Sequence, residues 1–336
     1  PRGPKRLIVD VSNTERPLTE IDALADACEP GVTVVVIGAS HDIGLFRRLV
    51  RLGVSDYVAK PLTLDLVRDA IAPENVAPSV GRGTTGRSIA VAGARGGVGA
   101  STIAAGLGRL LAADRRRHVV IVDLDVFGGT GCLQLGVDPG GLADALANVS
   151  RLDAVFLERV LVQAGPRLFV LGAQSELDRD VVLATEALDA LVAALEREFH
   201  YVIIDLPRRP GEVFAWALRR AAVRLLVMDR TVASVRDGKR MLDLVAGSAS
   251  RSLVILNDDQ PRRSLQLSSS LVEEALDRPV DVEIGYDAAA VSRLDNLGEA
   301  GASARSPLAS GLAAVAGSLL GQAPRPRSRW PWRGWR

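Results

Sequence analysis

Apolar positions along this chain fall into short unbroken runs separated by longer stretches in which they recur every three or four residues. The runs at 6–11, 32–38 and 56–60 predict strands, with helices over 17–27 and 43–52 and another after Thr63. A second series begins at Ile89. Its strand-like runs are 88–94, 118–125, 167–173, 200–207, 223–229, 252–257 and 280–285. Helical segments separate most of them, notably 101–113, 185–199, 234–245 and 306–320. Continuous Val/Ile/Leu strands alternating with helices indicate an α/β fold, with a parallel sheet covered on both faces. Between the two series, "APENVAPSVGRGTTGRS" (72–88) is rich in Pro, Gly, Ser and Thr and reads as a linker. No internal repeat of fixed period is visible.

Composition changes this picture little. The net charge is +1, which gives no global reason to expect a nucleic-acid coat or an acidic substrate. Cys28 and Cys132 are the only cysteines and suggest neither a disulfide framework nor a metal site, so a reducing, cytosolic setting is expected. No apolar run reaches membrane-spanning length, and the N-terminus lacks a signal-peptide pattern. Because the chain starts at Pro1, a processed or incomplete product is one reading. The 41 basic residues include just three lysines, Lys5, Lys60 and Lys239, a bias that bears on the loop described next.

Chemistry concentrates in "VAGARGGVGASTIAAGLG" (91–108). A strand leads into Gly96, Gly97 and Gly99 and then into a helix opening at Ser101. Glycines let backbone N–H groups turn inward around a phosphate chain, and the helix N-terminus adds a favourable dipole. Against G-x-x-x-x-G-K-[ST], Gly99 and Ser101 fit, with Ser101 at the hydroxyl that binds Mg²⁺. Ala94 occupies the first glycine position and Ala100 the lysine position. Alone, this is a weak signal, and a tight turn with no ligand is its lesser reading. Its company argues otherwise: "VIVDLD" carries Asp123 and Asp125 at one strand end, and "YVIIDLP" carries Asp205 at another. In an open parallel sheet, such carboxylates face the crevice where ligands bind.

From Ser88 to about Leu320 the chain resembles the MinD/ParA superfamily of deviant P-loop ATPases, and within it the septum-site-determining and CpaE/TadZ-like branch. The family pattern K-G-G-x-G-K-[ST]-T stands here as Arg95-Gly96-Gly97-Val98-Gly99-Ala100-Ser101-Thr102. The resemblance implies a P-loop NTPase-type, mostly parallel sheet and ATP with Mg²⁺ as cofactors. It implies that residues 96–102 hold the phosphates, that Asn257, ending "LVILN", faces the adenine, and that Ser101, Asp123 and Asp205 hold Mg²⁺. Asp125 would position the attacking water, and Arg95 would reach across a nucleotide-sandwich homodimer to the partner's phosphates. "IGYDAAAVSRLDNLGEA" (284–300) is similar to a late family segment, with Gly285 at its proline position.

The departures carry meaning. Arginine at 95 keeps the charge, so binding and dimerisation are expected to survive. Ala100 cannot bridge the β- and γ-phosphates, and losing that cation removes on the order of 10³ or more in rate. The expectation is ATP binding with slow or absent hydrolysis.

The N-terminal unit resembles the latter half of a response-regulator receiver. Asp10 sits at the phosphoacceptor strand end, Lys60-Pro61 at the last strand, and Gly38 or Ser40 at the hydroxyl position. The strands that would bring a metal-binding acidic pair are missing, so a degenerate docking module is expected rather than a phosphorelay. The implied organisation is a partial receiver-like unit (1–73), a linker (74–88), the MinD/ParA-like P-loop domain (89–321) and a tail (322–336). That tail, "APRPRSRWPWRGWR", joins arginines to Trp330, Trp332 and Trp335 with no acid. Contact with a membrane surface through Pro324 to Arg336, docking on a partner protein, and no function are its three readings. Arg208, Arg209, Arg219, Arg220 and Arg224 raise DNA as a partner, but a solvated surface is the better expectation. The function implied is a nucleotide switch that positions cell-division machinery, or alternatively pilus or secretion machinery.

Overall fold

A computed structural model of the chain describes residues 4–67, with interruptions at 5, 15, 29–31, 41–44, 46–47, 50–51, 53, 55 and 65. It further describes residues 86–298, apart from 114–116, 179–180 and 262–264, and residues 306–319. Most of the expected linker and the whole of the tail at 322–336 therefore lie outside the described residues, as do parts of the helices expected at 43–52 and after Thr63.

The first sheet is parallel, in the order β1 (Arg6–Asp10), β2 (Thr33–Gly38), β3 (Asp56–Ala59). Helix α1 (Pro17–Ala27) carries proline in its first turn, where a missing N–H costs nothing. Ile21 of this helix packs with Val11, Val34, Val36, Leu49 and Val54 in a small core of its own.

The second sheet has eight strands. They are β4 (Arg87–Gly93), β5 (Val119–Asp123), β6 (Val162–Gly165), β7 (Leu168–Leu171), β8 (Tyr201–Leu206), β9 (Val223–Met228), β10 (Arg251–Asn257) and β11 (Val282–Ile284). Their order is β11-β10-β9-β4-β8-β5-β7-β6, and every pairing is parallel except β6 with β7. The antiparallel edge is a finding the hydrophobic pattern did not announce, because "VQAG" is too short and too polar to stand out.

Successive residues of the central strands face opposite sides, as a period of two requires. Ala90, Val120, Val202 and Ile204 join a core with α6 (Thr185–Glu198), α7 (Glu212–Arg220) and α8 (Val232–Leu244). Ile89, Val91, Ile121 and Ile203 join another with α2 (Ala100–Ala113), α10 (Ala288–Leu297) and α11 (Pro307–Leu319). Short helices α3 (Thr130–Leu135), α4 (Leu142–Ala147) and α5 (Ala154–Val160) connect β5 to β6, and α9 (Ser269–Leu276) precedes β11. This double covering makes every residue of β5, β8 and β9 buried, so polar groups on them need a local reason to be there.

Candidate functional site

The loop from β4 to α2 is shaped by two glycines. Gly97 and Gly99 have φ of +82° and +88°, a region in which side chains are strained. At Gly99 a Cβ would also stand 2.6 Å from Asn257 Nδ2, which donates to the Val98 carbonyl at 2.9 Å. Asn257, ending β10, thus braces the loop across β9. The loop opens onto a cavity of about 700 Å³ at the C-terminal ends of the strands. Arg95, Gly96, Gly97, Val98, Gly99, Ala100, Ser101, Thr102, Asp125 and Asn257 all line it, so the structure brings these expected residues together. Ala100 opens α2 with no cationic group to offer, and Thr102 is buried, accepting from Gln134 Nε2 at 3.0 Å.

Asp123 and Asp205 are partners across adjacent parallel strands and both are buried. Asp123 is well satisfied: its Oδ1 accepts from Asp125 N at 2.9 Å, and its Oδ2 from Gly131 N at 2.9 Å and Cys132 N at 3.3 Å. Burial nevertheless pushes it up to about 6. Asp205 is different. Among the described residues neither of its oxygens has a hydrogen-bond partner, and burial beside Asp123 pushes it up to about 7, with the nearby Ser101 hydroxyl opposing the rise. A buried carboxylate with both oxygens orphaned, next to Ser101 under a phosphate-type loop, fits a divalent cation held largely by ligand oxygens and water. Among the described residues no group of three or more His, Cys, Asp or Glu is arranged to hold a metal by itself. Asp125 is less enclosed and accepts from Gly128 N at 3.1 Å. Burial, with Asp123 and Asp205 close by, drives the Cys132 thiol up to about 12, which keeps it protonated.

Arg95 is half exposed, and its Nη1 lies 3.4 Å from Asp237 Oδ2 on α8 of its own chain. Arg208 shares that oxygen at 3.3 Å, and Arg236 and Arg240 reach Asp237 Oδ1 at 3.1 and 3.5 Å. Asp237 is buried, and its carboxyl is held below the usual range: burial opposes this, but the Arg236 bond and charge, Arg95 and Arg208 prevail.

Gln134, Asp258 and Asp259 also line the cavity and carried no warning in the sequence. Gln134 bridges Thr102 and Asp295 Oδ1 (2.6 Å), and its own Oε1 is buried without a partner. Asp287 accepts from Ala290 N and caps α10, which explains the acid in the late segment at 284–300. Asp258 pairs with the buried Arg230, which also reaches Glu283 at 3.0 Å. The expectation of a solvated arginine surface holds for the exposed Arg209 and Arg219 and needs correction for the others. Arg224 is fully buried in β9, satisfied by the Leu218 and Ser250 carbonyls and the Ser248 and Ser252 hydroxyls. Arg220 is bound to Asp189 and Glu196, Arg209 lies over the Phe127 ring, and Arg208 lines the cavity. Arg208 and Arg209 sit on the loop between β8 and α7, Arg219 and Arg220 end α7, and Arg224 lies within β9.

Known proteins place the arrangement. The model of the CobQ/CobB/MinD/ParA nucleotide binding domain matches residues 89–299. A septum site-determining protein MinD from Synechocystis sp. is 30% identical over 195 residues, covering 57% of this chain and 71% of that protein. The crystal structure of a ParA family ATPase from Chlorobium tepidum TLS superposes with a TM-score of 0.63 at 23% identity, covering 70% of this chain and 98% of that one. The septum site-determining protein MinD of Pyrococcus horikoshii OT3, complexed with Mg-ADP, gives 0.59 at 21% identity over 72% and 99%. At such identities the two superpositions speak for the fold.

Proposed function

Because the chain belongs to the MinD/ParA superfamily of P-loop ATPases, we propose that it is an ATP-binding spatial regulator that positions cell-division machinery through nucleotide-dependent homodimerisation, with slow or absent hydrolysis. The observation that carries this reading is the pairing of an intact backbone cradle with an incomplete set of cations. The loop keeps its left-handed glycines and its Asn257 brace, while Ala100 stands at the lysine position. In this reading residues 96–102 take the phosphates and Asn257 lies beside the base. Ser101 and Asp205 form the Mg²⁺ end; Asp123, expected there as a third ligand, has both oxygens engaged by the Asp125, Gly131 and Cys132 N–H groups and orders the backbone around them. Bound Mg²⁺ would supply charge neutralisation at the phosphates. Asp125 stands where it would orient water, and Arg95 would exchange Asp237 for the phosphates of a second copy.

The experiment is titration calorimetry with Mg-ATP, joined to light scattering for mass and a phosphate-release assay. Binding, a shift from monomer to dimer and little released phosphate support the proposal; turnover at the rate of an intact P-loop ATPase would refute its hydrolytic part. The proposed organisation is a receiver-like docking unit (1–73), a linker (74–88), the P-loop domain (89–321) and a tail (322–336) that meets a membrane surface or a partner. Among the described residues no helix is long and apolar enough to cross a membrane.

A second reading, a CpaE/TadZ-like factor localising pilus or secretion machinery, is favoured by one feature, the β1-β2-β3 unit with its Asp10–Lys60 pair. Loss of polar pili on deletion, with normal septa, would select it; filamentous cells on overexpression would select division. Partitioning on DNA is the weaker third, given the buried or paired arginines above.

A further inference from the structure

We propose that Arg208 supplies, from within the same chain, the cation that Ala100 cannot, and so makes the cavity selective for a nucleoside triphosphate over a diphosphate. This rests on the nucleotide-site reading and deepens it.

The cavity is poor in positive charge. Among its described lining residues the basic side chains are Arg95 and Arg208, against Asp125, Asp258, Asp259, Asp287 and Asp295. Arg95 is the more exposed of the two, at 49% against 24%. In the proposed sandwich dimer it would also be the one that reaches out of its own site. That leaves Arg208 to meet the polyphosphate in its own cavity.

Arg208 is built for this position. It follows Asp205 by three residues, just beyond the end of β8, and its Nε donates to the Ala94 carbonyl at the base of the loop at 2.6 Å. The Phe214 ring backs the guanidinium at 6.0 Å. The stem is therefore fixed, whereas among the described residues the outer Nη2 has only the 3.3 Å contact with Asp237. Asp237 would not be left unpaired if Arg208 let go, because Arg236 and Arg240 remain on it. A polyphosphate carrying several charges outcompetes a single carboxylate shared among four guanidiniums. A planar fork pivoting about an anchored Nε can meet a terminal phosphate with donors on two separate nitrogens, where a lysine offers a single point charge.

The test measures affinities of the full chain for Mg-ATP and Mg-ADP by calorimetry. Arg208→Ala should weaken Mg-ATP by about tenfold or more and Mg-ADP by less than about twofold, the loss expected for one charged hydrogen-bonding group. In an Ala100→Lys background the same change should cost Mg-ATP less than about threefold, since the two cations do one job. Should Arg208→Ala lose cooperative melting, Arg208→Gln, which keeps a stem and a donor, carries the same prediction. Equal weakening of both nucleotides would make Arg208 a brace for the loop and overturn the inference, as would no effect. Failure of the unaltered chain to bind either nucleotide would refute the proposed function itself, a result distinct from either.

Discussion

At the end of β1, Asp10 stands in solvent with Lys60 Nζ 2.7 Å from its Oδ2; at the end of β8, Asp205 is buried with neither oxygen hydrogen-bonded. Both carboxylates close a strand of a parallel sheet, the place where such folds bind ligands. The Lys60 bond, helped by Ser12, holds Asp10 down to about 2, while burial beside Asp123 lifts Asp205 to about 7. The small sheet has neutralised its strand-end acid with a lysine of its own. The large sheet has an unmet acid and, in Ala100, no lysine in its loop. A self-satisfied site has little to gain from a metal or phosphate, whereas one with orphaned oxygens has much to gain. This difference supports the proposal that ligand chemistry belongs to the second sheet and that the first is a docking body.

The sharpest way to break the contrast is to give the second site its lysine. Ala100→Lys should raise ATP turnover by about 10²–10³-fold, the usual worth of one preorganised charge at a reacting phosphate. Phosphate release under saturating Mg-ATP measures it, and an unchanged rate would mean that Ala100 is not what limits hydrolysis. Next comes the metal. With five aspartates and two arginines lining the cavity, chelating Mg²⁺ should cost about 100-fold in ATP affinity, against little change in any anion binding near Asp10. Titration with and without chelator checks this. A metal-independent affinity would show that the arginines alone suffice.

Most of the large sheet was legible in the sequence because its strands are unbroken Val/Ile runs, as "HVVIVDLD" and "YVIIDLP" illustrate. The loop and Asp205 were legible for the same reason: glycines and strand-end acids are local signals. What stayed hidden depends on distance in space. Arg208 sits beside Arg209 in sequence, yet one lines the cavity and the other covers Phe127. Nothing local separates them. A charged residue in a six-residue strand looks exposed, which is why the solvated reading fails at Arg224; its partners come from the end of α7 and from three serines 24 to 28 residues on. Gln134 and Asp295, 161 residues apart, meet only through the contact of α3 with α10.

The orphaned acid also predicts a pH dependence. Between the ordinary carboxylate range and about 7, the folded chain holds more protons at Asp205 and Asp123 than the unfolded chain does. Stability of the nucleotide-free protein therefore falls as pH rises across that window. Asp205→Asn removes the charge and should raise the melting temperature at pH 8 by about 2–4 °C, the shift for about 1 kcal/mol in a domain of this size. At pH 5 the gain should vanish, because Asp205 is already protonated there. A stabilisation equal at both pH values would assign the effect to packing instead.

The smallest effect belongs to the other half of the comparison. Lys60→Met removes the partner of Asp10, whose low pKa owes most to that hydrogen bond. A carboxylate with a depressed pKa adds stability above the ordinary range and loses it as pH falls toward the depressed value. Here the acid is exposed, so solvent screens the pair and the change in melting should be slight. The pKa itself is the sensitive readout: carbon-detected NMR should find Asp10 moved from about 2 toward the ordinary value near 4. Mg-ATP affinity should stay within about twofold, because the pair lies in a separate sheet with its own core. If the affinity changes by more than about fivefold, the two strand-end sites are coupled. The first sheet would then be a regulator of the second rather than its docking body.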